Sequence, residues 1–134
     1  VPPYHLDRTP PGSESGDAVL STALDDQLAA LAQELADVRA LAAWMRGTGA
    51  RKVVLAGASL GGTMVLRTVS LDASVDAALA IMPTVELSAV LLATPVAGPI
   101  RDRLAAAGWA RARVEPLYRA FEALDTPAPR GGAQ

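Results

Sequence analysis

The spacing of apolar positions changes along the chain, and each change marks an element. Leu24, Leu28, Leu31, Leu35, Val38, Leu41 and Met45 recur at steps of three and four, which places them on one face of a helix. Asp25, Asp26, Glu34, Asp37 and Arg39 fall largely on the other face. Acidic residues at its start and Arg46 at its end suit the helix dipole, and Gly47 and Gly49 end it. Val53-Val54-Leu55-Ala56 follows, apolar and without alternation. That pattern predicts a strand buried on both faces, as central parallel strands are. A second helix is expected over about 60–71, with Met64, Val65 and Val69 available for packing. A second buried strand is expected over about 77–82, stopping at Pro83. Strand, helix, strand, with a helix before, is a βαβ unit whose crossover should be right-handed.

From Val85 onward the period is helical again. Three segments are expected, over about 86–93, 99–107 and 110–124, broken at Pro95 and Gly108. In the third, Val114, Leu117, Phe121 and Leu124 keep helical spacing, and Pro116 either weakens the first turn or marks its true start. Residues 1–16, rich in Pro, Gly and Ser, read as a loop leaving an earlier element, and 125–134 as a loose tail. No internal repeat is visible.

Composition narrows the function classes. A length of 134 residues fits one domain. With 51% of residues apolar and 19% charged, the chain has a folding composition rather than a disordered one. The net charge of −2 and the scattered arginines provide no basic patch, so nucleic acid is not an expected partner. The absence of cysteine excludes a disulfide framework, a thiolate nucleophile and sulfur-ligated metal, and a single histidine argues against zinc. Neither a metal nor a cofactor is expected. No secretory leader is visible, and the longest uncharged apolar tract, 87–100, is too short to span a bilayer and holds two prolines. A cytoplasmic location is the default expectation.

One motif carries chemistry. Gly57-Ala58-Ser59-Leu60-Gly61 is a G-x-S-x-G between a predicted strand and a predicted helix. A nucleophilic serine must stand clear of the sheet edge, so the chain turns sharply and holds Ser59 in a strained conformation. Side chains two residues before and after would collide with the neighbouring strand and helix, which Gly57 and Gly61 avoid, while Gly62 extends the allowance for close packing. The Leu60 N–H, at the helix start, is placed to stabilise an oxyanion. The competing readings are a tight turn with an idle serine and a phosphate-binding loop. The second is disfavoured, because neither the P-loop pattern nor the dinucleotide-binding pattern is present.

Ala56-Gly57-Ala58-Ser59-Leu60-Gly61-Gly62, behind Lys52-Val53-Val54-Leu55, resembles the nucleophile strand and elbow of the α/β-hydrolase superfamily. Asp37-Val38-Arg39 and Trp44 resemble the helix preceding that strand. Pro3-Tyr4-His5, Arg8, Pro11-Gly12 and Ser15-Gly16 resemble the loop before that helix. Together with Met82-Pro83-Thr84-Val85-Glu86-Leu87-Ser88, the pattern is similar to the α/β-hydrolase domain-containing protein 18-like branch. The resemblance implies a partial α/β-hydrolase fold in a single, incomplete domain. It also implies a small-molecule acyl substrate, and a triad in the order Ser, acid, His. No histidine follows Ser59. The chain is therefore expected to be an internal piece of an enzyme, with acid, base and second oxyanion donor outside it, and to be a poor catalyst alone.

Two residues remain as triad candidates. His5 is the one imidazole, but it precedes Ser59 and otherwise reads as a loop histidine. Glu86 follows the second strand, where some α/β-hydrolases place the acid, and otherwise reads as a first-turn glutamate favoured by the helix dipole. Asp76 should lie at the sheet edge away from chemistry, and Asp125 in a loop. Arg8, Arg101 and Arg103 either meet an anionic substrate or are solvated. Trp44 and Trp109 are expected to pack. The helices from Val85 to Leu124 either form a lid or pack on the sheet. The missing His and acid also suit a non-catalytic binding or assembly module that self-associates through exposed sheet edges.

Overall fold

The computed structural model describes residues 3–16 and 23–123. The expected tail at 125–134, together with Leu124 and Asp125, lies outside the described residues. The protein is mixed α/β, with five α-helices and a two-stranded parallel sheet among those residues. The described residues divide into two compact units, one built from those up to Ala36 with Glu86–Ala120, the other from Asp37–Val85 with Phe121–Ala123.

The α/β unit begins in α1 (Leu24–Gly47), whose last turns belong to it. Gly49, at φ +95, ends the helix: its N–H donates to the Arg46 carbonyl at 3.0 Å, and the Ala50 N–H to the Met45 carbonyl at 3.0 Å. This is a Schellman turn, in which a left-handed glycine lets the chain fold back on its last carbonyls. Next come β1 (Val54–Ala58), α2 (Leu60–Leu71) and β2 (Ala77–Ile81), with β1 and β2 parallel and Leu55 opposite Ala78. Ala42, Val53, Leu55, Val65 and Val75 form the core, and Val38, Met45, Val69, Ala78 and Ala80 pack against it.

That core occupies one face of the sheet. The prediction of strands buried on both faces is corrected: Val54 is 60% exposed, Leu79 59% and Ile81 50%. Side chains alternate along a strand. Leu55, Ala78 and Ala80 therefore point into the core, while Val54, Leu79 and Ile81 on the other face stay half or more exposed.

At the N-terminal edge of the sheet, Asp76 ties three groups together. It accepts from the Val53 N–H at 2.7 Å and Lys52 Nζ at 3.1 Å, and pairs with Arg46. Arg46 also donates to the carbonyls of Ser74, Ala50 and Arg51. The Val53 N–H and the neighbouring cations hold the Asp76 carboxyl below its ordinary 3.8.

The helical unit holds the first turns of α1 with α3 (Leu87–Ala93), α4 (Gly98–Ala106) and most of α5 (Arg111–Ala123). Residues 3–16 form a loop with one 3-10 turn, Leu6–Arg8. The stripe expected along α1 is corrected here. Glu34, expected on the polar face, is 7% exposed and Gln27 2%, whereas Leu41, further along the helix, is 51% exposed. Gln27 is buried because the Tyr118 hydroxyl donates to its Oε1. Burial pushes that phenol up to about 12. Pro116 neither starts α5 nor sits in its first turn; it lies inside the helix. Its missing N–H leaves one carbonyl of the preceding turn without its helical donor.

Candidate active site

Ser59 lies between the end of β1 and the start of α2, at φ 51 and ψ −121. L-residues avoid this region because Cβ crowds the backbone, and a residue held there stores about 1–3 kcal/mol. Main-chain bonds hold it. The Ser59 N–H donates to the Ile81 carbonyl at 2.9 Å, carrying the β1–β2 pairing one residue past the strand. The Ser59 carbonyl accepts from the Thr63 N–H at 3.1 Å. The Thr63 hydroxyl donates to the Thr84 carbonyl at 2.9 Å, tying the first turn of α2 to the segment after β2.

The glycines divide unequally. A Cβ on Gly57 would overlap the Gly61 carbonyl and come within 2.9 Å of Gly62 N. A Cβ on Gly62 would sit 3.2 Å from the Gly57 oxygen and 3.3 Å from the Pro83 side chain. A Cβ on Gly61 would meet nothing within 4 Å, so the expectation of a collision there is corrected. What approaches Gly57 is the main chain of Gly61, which any residue would carry.

Ser59 is exposed and is the N-cap of α2, yet its side chain makes no capping hydrogen bond. A serine at that position ordinarily accepts from the second or third N–H of its helix. Here the positive φ leaves Oγ without a partner among the described residues. Thr63 is the first residue of α2 whose N–H reaches back to Ser59. The N–H groups of Leu60, Gly61 and Gly62 thus precede the helical ladder, at its positive end. A nucleophilic hydroxyl beside such donors can attack a carbonyl and stabilise the oxyanion that forms.

The other candidates belong to the helical unit. His5 Nδ1 donates to the Pro3 carbonyl at 2.9 Å, which leaves Nε2 as the basic nitrogen. Its ring stands close to Gly16, where a Cβ would approach Nε2 to 3.4 Å. Glu86 is exposed and precedes α3 as its N-cap, without a side-chain capping bond. Asp76 lies at the sheet edge opposite Ser59, since β1 and β2 run parallel and Asp76 precedes β2.

Three features of the α/β unit were not read from the sequence. Met82, just after β2, takes φ 46 and is 82% exposed, a second strained non-glycine residue at the Ser59 end of the sheet. Thr63 ties down the elbow; its place four residues after Ser59, one helical turn on, was the available signal. Arg67 of α2 is 2% exposed, with its guanidinium 3.8 Å from the Phe121 ring. Among the described residues no three His, Asp or Glu side chains converge on a metal point, and no helix is long and apolar enough to cross a membrane. No protein-family model matches the sequence, and no curated protein aligns with it significantly.

Proposed function

We propose that the chain carries the nucleophile of a serine hydrolase of the α/β-hydrolase type, acting on a carboxylic ester, thioester or amide. The supporting observation is the backbone of Ser59: φ 51 and ψ −121 at a strand-to-helix junction, with Oγ not spent on capping. Within the superfamily, the reading is supported by the likeness of the segments around Pro3 and Met82 to those of the domain-containing protein 18-like branch. In this reading Ser59 Oγ attacks the substrate carbonyl carbon, and the negative charge on the former carbonyl oxygen is met by the Leu60 N–H and a second donor. The serine proton passes to a histidine and from there to the leaving alcohol, thiol or amine. Water then releases the acyl group, and no cofactor takes part. Neither His5 nor Glu86 is assigned to the triad. Base and acid come from sequence beyond these residues, which keeps the order Ser, acid, His. A fluorophosphonate probe should label the complete protein at Ser59, with labelling lost in Ser59→Ala. Equal labelling of both would remove Ser59 from the mechanism.

A second reading is a non-catalytic binding or assembly module. It is favoured by the open sheet face, where Val54, Leu79 and Ile81 are each at least half exposed. Each strand also pairs only with the other, so both edges are open among the described residues.

A further inference from the structure

The helical unit forms a half-open pocket of about 270 Å³ lined from α3, α4 and α5. Its walls are apolar: Leu92 is 7% exposed, Leu104 3% and Val114 1%, and the half-buried Trp109 closes one side. Arg101 also lines it. That guanidinium is held by one nitrogen, Nη1, which donates to the Leu91 carbonyl at 3.2 Å and the Thr94 carbonyl at 2.6 Å. Two carbonyls fix its position but carry no formal charge, and no carboxylate pairs with it among the described residues. Arg111, at the rim, shares Glu115 with Arg119. Between residues 98 and 120 the sequence has five arginines against two carboxylates, in a chain whose net charge is negative.

A largely apolar, half-open pocket with a fixed, unneutralised cation in its wall selects for charge at one end of a ligand and hydrocarbon at the other. We propose that this cavity binds a short monocarboxylate. The carboxylate meets Arg101 Nη2 and Nε, where guanidinium geometry favours paired bonds, and the hydrocarbon packs on Leu92, Leu104, Val114 and Trp109. The volume lies just below the roughly 300–1,000 Å³ of drug-sized ligand sites, which suits a chain of a few carbons. The site stands whether or not Ser59 is a nucleophile.

Trp109 reports on the site once the exposed Trp44 is replaced, because the chain has two tryptophans. In a Trp44→Phe background, hexanoate added to the 134-residue chain should shift Trp109 emission saturably. Hexanamide, its neutral isostere, should bind at least tenfold more weakly. Arg101→Gln should remove the preference for the acid. Arg101 also caps α3, so Ala105→Phe supplies a second arm: residue 105 is exposed and lines the cavity. This change should abolish the hexanoate response while leaving the melting curve in place. Equal binding of acid and amide, a response that never saturates, or one that survives Ala105→Phe would each overturn the proposal.

Discussion

Ser59 and its three glycines respond differently to substitution because their constraints differ in kind. Gly57 is barred by main chain that cannot swing aside. Gly57→Ala should therefore destabilise the protein by about 3 kcal/mol. Gly62→Ala meets contacts of 3.2–3.4 Å and should cost less. Gly61→Ala meets nothing, and as a helical residue should be neutral or stabilising by up to about 1 kcal/mol. Ser59→Gly relieves the strained φ and should stabilise by about 1 kcal/mol, after the entropy lost by glycine is subtracted, while abolishing probe labelling. Thermal melts of the four variants check the order; a Gly57→Ala protein as stable as Gly61→Ala would show that the elbow is not closed. The G-x-S-x-G spacing made Gly57 legible in the sequence. It also marked Gly62 for close packing, which the contacts to Pro83 and the Ile81 carbonyl bear out, but it could not show that Gly61 is free of any collision.

At the scale of elements, Asp76 does for the far end of the sheet what main-chain bonds do for Ser59. It joins the end of α1, through Arg46, to the entry of β1, through the Val53 N–H. Its folded carboxyl titrates below the ordinary 3.8. The ionised form is therefore favoured by folding, and its contribution is present above that pH and lost as pH falls through the lowered value. Asp76→Asn should lower the melting temperature at neutral pH, and the difference from wild type should shrink below pH 3.8, as followed by melts across that range. Parallel curves down to pH 2 would mean that the carboxylate contributes nothing by its charge. Element positions were well marked in the sequence: α2 spans the expected residues, and β2 ends one residue short of Met82, where the positive φ breaks the pairing. The lining of α1 was less legible, because a side chain such as Gln27 is buried by a partner, Tyr118, 91 residues away.

Across the whole molecule, the exposed sheet face separates the two functional readings. The sequence showed an apolar run at 53–56 without showing what covers it, and among the described residues only the core face is covered. If that face associates with a second copy, sedimentation should show dimers or larger species at micromolar concentration, and Leu79→Lys should return the chain to monomer. The change should leave the melting temperature nearly unaltered, since Leu79 is 59% exposed and contributes little to the core. A monomeric wild-type chain would remove the assembly reading. The tethers at the opposite end of the sheet have a mechanical consequence. One bond runs from the Ser59 amide to Ile81 and another from the Thr63 hydroxyl to Thr84, so they bracket Met82 and Pro83 from both sides. A force that displaces this short span must drag the serine with it, and the bend has no slack to move by itself.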